Sequence, residues 1–123
     1  MPALKKILIV DDEKPMARAL ELKLQHSGFE TKIVNEGTEA LNLMEKDKFN
    51  LVLLDLMMPN LDGFKVLEAL QKKKNTVPIV VTSNLSQLED EKRALALGAE
   101  HYFVKSNTPI STIIDYVKKI LKV

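Results

Sequence analysis

The chain has no cysteine. Disulfides, thiol catalysis and thiolate metal sites are therefore excluded. It also lacks an excess of charge of either sign: 18 Lys and Arg stand against 17 Asp and Glu, a net charge of +1. That balance points to neither nucleic acid nor a membrane surface as a partner. Apolar runs are short, far below the roughly 20 residues of a bilayer span. The opening Met1-Pro2-Ala3-Leu4-Lys5-Lys6-Ile7 has no long apolar stretch of the signal-peptide kind, and a cytoplasmic address is expected. No internal repeat, low-complexity tract or linker interrupts the chain. What is present is 123 residues, 46% apolar and 28% charged, the composition of one soluble globular domain expected to span residues 1–123.

Short apolar runs alternate with helical patterns along the whole length. The runs predict strands at Lys6–Val10, Thr31–Val34, Leu51–Leu54, Pro78–Val81 and Tyr102–Val104. Between and after them, helices are predicted at Pro15–Ser27, Thr38–Asp47, Asp62–Lys73, Gln87–Leu97 and Pro109–Leu121. Five such βα repeats define an α/β fold with a doubly wound five-stranded parallel sheet. The first, third and fourth runs are continuously apolar, as strands covered on both faces are. The second is mixed (Glu30, Thr31, Lys32, Ile33, Val34) and fits an edge, which gives the flavodoxin-like order 2-1-3-4-5 with a switch point between strands 1 and 3. Gly28 and Gly98 follow helical stretches as C′ glycines do. Asp62 is placed to cap the third helix, and Gly63 to ease its first turn. Ile110, Ile113, Ile114, Val117, Ile120 and Leu121 form one stripe of the last helix.

Polar residues fall where the runs end: Asp11 and Asp12 after the first, Asp55 after the third, Thr82 and Ser83 after the fourth, Lys105 after the fifth. In a parallel sheet all of these emerge at one edge, where open α/β sheets keep their ligand sites. Singly, each has a plain explanation: Asp11-Asp12 as a helix cap, Asp55 and Ser83 as turn residues, Lys105 as a solvated strand end. Jointly they do not. Clustered carboxylates repel and raise one another's pKa, and a hard divalent cation such as Mg²⁺ relieves that cost. A lysine and a hydroxyl hold phosphoryl oxygens. A carboxylate is a known nucleophile in aspartyl-phosphate formation.

The segments Ile7-Leu8-Ile9-Val10-Asp11-Asp12-Glu13, Leu53-Leu54-Asp55-Leu56-Met57-Met58-Pro59-Asn60-Leu61-Asp62-Gly63, Pro78-Ile79-Val80-Val81-Thr82-Ser83 and Leu97-Gly98-Ala99-Glu100-His101-Tyr102-Phe103-Val104-Lys105 together resemble the receiver domain of two-component response regulators. The likeness covers essentially the whole chain. It implies that Asp55 is the phosphoacceptor, that Asp11 and Asp12 hold Mg²⁺ together with Asp55 and the backbone carbonyl of Met57, and that Ser83 and Lys105 bind the phosphoryl group. Ser83 is preferred to Thr82 because the family's hydroxyl lies five residues after the proline, here Pro78, and because adjacent strand residues face opposite ways. Tyr102 is identified as the switch aromatic, turning inward when the hydroxyl moves. The resemblance further implies a histidine kinase or histidine phosphotransfer protein as donor, and a downstream effector protein reading the face of strand 5 with helices 4 and 5. Catalysis would be limited to the domain's own phosphorylation and dephosphorylation.

Two positions depart from the common family pattern. Asn84 follows the hydroxyl where a small residue is usual, and Ser106 follows the lysine where proline is usual. Three rival classes are weaker. A haloacid-dehalogenase-type phosphatase needs a second aspartate two residues after the first, and that position is Met57. An FMN carrier needs a hydroxyl- and glycine-rich loop where this chain has Asp11-Asp12-Glu13. A pseudo-receiver that only binds partners would not need the complete acceptor set.

Overall fold

The computed structural model describes residues 4–123. Its strands are β1 (Lys6–Val10), β2 (Glu30–Val34), β3 (Leu51–Leu54), β4 (Ile79–Ser83) and β5 (His101–Val104), and its helices are α1 (Lys14–His26), α2 (Gly37–Lys46), α3 (Gly63–Lys72), α4 (Leu88–Ala96) and α5 (Ile110–Leu121). All strand pairs are parallel and lie in the expected order β2-β1-β3-β4-β5.

Alternation along the strands sorts their side chains into two cores. Leu8, Val10, Val52, Leu54, Ile79, Val81 and Tyr102 pack with residues of α2, α3 and α4 on one face. Ile7, Ile9, Leu51, Leu53 and Val80 pack with α1 and α5 on the other. The central strands carry continuous apolar runs, Ile7–Val10, Leu51–Leu54 and Ile79–Val81, because each of these positions faces a helix layer. Burying one such Leu or Ile contributes about 1.5–3 kcal/mol. On α5 the predicted stripe buries Ile113, Ile114 and Val117.

Punctuation follows local chemistry. Pro15 lies in the first turn of α1, where a missing N–H is no loss. Asp62 caps α3, its carboxylate accepting from the Lys65 N–H at 3.0 Å. Gly28 and Gly98 take φ of +94° and +103° at the ends of α1 and α4, a region that favours glycine. Gly63 has a different use from the one expected. A Cβ there would lie 2.5 Å from the carbonyl oxygen of Asp55 and 2.6 Å from the Leu56 Cα. Its absence lets α3 begin against the end of β3.

One boundary differs from the sequence reading by more than a residue. β4 continues through Thr82 and Ser83, which pair with Phe103 and Val104 of β5. Beyond β5 the chain does not run straight into α5. It closes into a single 3₁₀ turn, Lys105–Asn107, with the Thr108 hydroxyl donating to the Val104 carbonyl at 2.8 Å.

Candidate functional site

Register places the acids. Val10 lies opposite Leu54 in the β1–β3 ladder, so the next residues, Asp11 and Asp55, leave neighbouring strands side by side. Backbone bonds extend the ladder past the strand ends: the Asp55 N–H donates to Val10 at 2.9 Å, and the Asp11 N–H to Val34 at 3.1 Å. One carboxylate oxygen from each of Asp11, Asp12 and Asp55 lies within 4.8 Å of the others. Asp11 and Asp55 are buried, at 1% and 2% exposure, while Asp12 is open to solvent.

Each buried acid is held by its own loop. Asp11 Oδ1 accepts the Glu13 N–H at 2.9 Å, and Asp55 Oδ1 accepts the Met57 N–H at 3.1 Å. Their second oxygens share Lys105, whose Nζ lies 2.8 Å from Asp11 Oδ2 and 3.3 Å from Asp55 Oδ2. Glu13 Oε1 joins the same ammonium at 2.9 Å. Asp11 Oδ2 has no aligned hydrogen-bond donor despite this ion pair. Among the described residues the ammonium is the one positive charge beside that oxygen, which leaves it a lone pair for a second cation. An all-oxygen donor set, partly buried and short of positive charge, fits a hard divalent ion.

Burial is the main cause of the shifts in acidity. It pushes the Asp55 carboxyl up to about 6, against the pull of Lys105 and the Met57 N–H. Asp11 is raised for the same reason, opposed by its contacts with Lys105 and Glu13. For Lys105, burial alone would lower the value. Contacts with Asp11 and Glu13, and the charge of Asp55, outweigh it and hold the ammonium above its ordinary range.

Ser83 is fully buried, and its Oγ accepts the Leu85 N–H at 3.2 Å. Tyr102 lies in the next strand with its ring inside the core at 7% exposure and its hydroxyl donating to the Leu85 carbonyl at 2.7 Å. The ring therefore lies inward. Thr82 is equally buried, but alternation turns it toward the opposite face. Asn84 and Ser106, the two departures, are exposed.

Sequence reasoning missed two contributors. Glu13 was quoted as part of a matching segment and given no role, although an acid directly after Asp11-Asp12 is the signal that finds it. Asn35, whose Nδ2 donates to the Asp11 carbonyl at 3.0 Å, left no signal, because it comes from the loop after an edge strand with no functional pattern.

An acidic cluster and a buried lysine at the carboxyl edge of a 2-1-3-4-5 sheet define a class. The family model described as the response regulator receiver domain matches residues 7–118, and the chain belongs to that family. It is 42% identical over 104 residues to the probable transcriptional regulator ycf27 of Porphyridium aerugineum, a match covering 85% of this chain and 43% of that protein. The alkaline phosphatase synthesis transcriptional regulatory protein PhoP of Bacillus subtilis (strain 168) is 37% identical over 118 residues, covering 96% and 49%. The chain thus spans less than half the length of these relatives. Among solved structures, the Francisella response regulator 1452 receiver domain is similar at a TM-score of 0.91 and 30% identity, over 96% of this chain and 97% of that one. A CheY-like receiver domain protein from Methanospirillum hungatei JF-1 matches at 0.90 and 28%, over 98% and 95%.

Proposed function

We propose that this receiver domain, taken as one unit over residues 1–123, accepts a phosphoryl group on Asp55 from a phosphohistidine of a histidine kinase or phosphotransfer protein. The observation that carries the reading is the sharing of one buried ammonium, Lys105, by Asp55 and Asp11. Asp55 Oδ2 attacks phosphorus as the phosphorus–nitrogen bond to the donor imidazole breaks, and the imidazole leaves with the electron pair and takes up a proton. Attack requires Asp55 as the carboxylate. Lys105 keeps it so, and then meets the charge on the transferring group, which is most of what such a reaction requires of a protein. Ser83 uses its oxygen to accept from Leu85, so its hydroxyl proton is left to donate to a phosphoryl oxygen. Asp11, Asp12, Asp55 and the Met57 carbonyl would hold Mg²⁺, which supplies charge neutralisation at the phosphoryl oxygens when bound.

Output follows if Ser83 exchanges its present partners for the phosphoryl group, because Tyr102 and Leu85 are bonded beside it. That differential contact biases the face of β5, α4 and α5 toward an effector protein. The near-neutral charge leaves direct nucleic-acid binding outside the role of the receiver itself. Catalysis is confined to the domain's own modification, and the expected setting is the cytoplasm. Among the described residues, no helix is long and apolar enough to cross a membrane.

The test is intact mass after incubation with Mg²⁺ and a small acyl phosphate donor. One phosphoryl group is expected on the parent, with none on Asp55→Asn or in the presence of chelator. Labelling that persists in Asp55→Asn would overturn the assignment.

A further inference from the structure

The two-residue loop between β2 and α2 contributes nothing to the acidic cluster, yet it and the first residue of α2 together touch both loops that do. Asn35 Nδ2 donates to the main-chain carbonyl of Asp11 at 3.0 Å. Glu36 Oε1 accepts from Asn60 Nδ2 at 2.8 Å, and Asn60 belongs to the loop that begins at Asp55. Gly37 lies so close to that loop that a Cβ would meet the Leu61 carbonyl at 2.6 Å. Asn60 itself has φ of +68°, a conformation that Asn tolerates better than most residues but that still costs energy. A strained residue persists when its neighbours hold it. Here the holder is Glu36.

We infer that Asn35, Glu36 and Gly37 form a strut that sets the distance between the Asp11–Asp12 loop and the Asp55–Leu61 loop, making them positioning residues for the divalent-metal site. The inference rests on the proposed metal-dependent phosphoacceptor function. None of the three touches the cluster's carboxylates. They act through the main chain of Asp11 at one end, and through Asn60 and Leu61 at the other. The ion must draw its oxygens from both loops, so a slack gap between them has to be closed on each binding event. Removing an outer support of this kind costs metal affinity by about tenfold. The Asn60–Glu36 bond is exposed, which puts its share at the lower end, about threefold.

The competing explanation is charge: Glu36 is an anion near a cation site, and deleting it would weaken Mg²⁺ at a distance. The variants separate the two. Glu36→Gln keeps an acceptor oxygen and removes the charge; Glu36→Ala removes both; Asn60→Gly keeps the backbone conformation and removes the donor. Mg²⁺ affinity is read by titration of the unphosphorylated protein followed by NMR, and in parallel as the Mg²⁺ dependence of phosphorylation. Expected results are Glu36→Gln within about twofold of the parent, and Glu36→Ala and Asn60→Gly each about threefold weaker. Their double variant should be no weaker than either alone, because both cut one strut. Phosphorylation at saturating Mg²⁺ should stay near the parent rate throughout. Gln matching Ala, additive losses in the double variant, or Ala binding as the parent does would each overturn the strut. A parent that takes no Mg²⁺ at all would instead sink the functional reading beneath it.

Discussion

Asp55 is subject to two opposed demands. In the proposed role of nucleophile it must be ionised, and as a buried residue it is penalised for being so. Burial wins part of the contest and lifts its carboxyl to about 6. Because the folded value lies above the unfolded one, the native state holds a proton that the unfolded chain has already released. The resulting stability is present in full below about pH 4 and is lost as pH rises through about 6. Asp11 is shifted in the same direction and adds to the effect. Without metal, the melting temperature of the parent should therefore fall between about pH 5 and pH 7, while that of Asp55→Asn falls less. At pH 7 the Asn variant should be the more stable by about 1 kcal/mol, since an amide still accepts the Met57 N–H and no charge is buried. Thermal melts of both proteins in chelator at the two pH values are the check; parallel pH profiles would refute it. The acids and Lys105 were legible in the sequence because they end apolar runs. Asn35 was not, since its role runs through a main-chain carbonyl that any residue at position 11 would offer.

At the scale of elements, glycine shows how one residue type serves two ends. Gly28 has a left-handed φ and open space around the missing Cβ, whereas the two atoms nearest a Cβ at Gly63 are main chain of Asp55 and Leu56. Gly28→Ala should cost about 1 kcal/mol, from strain alone. Gly63→Ala must push α3 away from the end of β3, because the atoms met are main chain and cannot swing aside. A loss of about 2 kcal/mol or more is expected, read by urea unfolding of both variants. Equal losses would show that crowding against Asp55 is not why position 63 is glycine. Strands and helices were readable from apolar period, and most bounds agree to within a residue. The fourth strand was cut short at Val81 because the period marks where apolarity stops. Hydrogen bonding to β5 goes on for two further residues. The fourth helix has the smallest buried face of the five, Ala94 alone. It is held instead by Arg93, which lies over the Phe64 ring at 4.1 Å and 3.7 Å from Glu68. Contacts of that kind leave no periodic trace.

For the molecule as a whole, the proposed cation site would link folding to metal binding. An ion that binds the assembled cluster and not the unfolded chain stabilises the fold, by about 2.7 kcal/mol at a hundredfold excess over its dissociation constant. Mg²⁺ should raise the melting temperature of the parent at pH 7, and by much less in Asp12→Ala. Asp12 is the solvent-facing member of the cluster, so its removal should leave the fold near its metal-free stability. Identical Mg²⁺-induced shifts in the two proteins, measured by calorimetry, would exclude Asp12 as a ligand. The sheet order, the two cores and the edge that carries the site were all readable before any coordinates. The inward setting of Tyr102 was not, because ring placement is decided by its bond to Leu85, seventeen positions away.

Asp11 Oδ2, buried and without an aligned donor, gives the protein a conflict of interest under selection. Most of the chain is arranged so that local and global preferences agree, and this oxygen is a place where they do not. In an experiment that rewarded heat resistance alone, a quick gain would come from Asn at position 55. The population would grow hardier while losing the ability to signal. Under the proposed function, keeping these acids means accepting a standing cost in stability in exchange for the phosphoryl and metal chemistry they would perform.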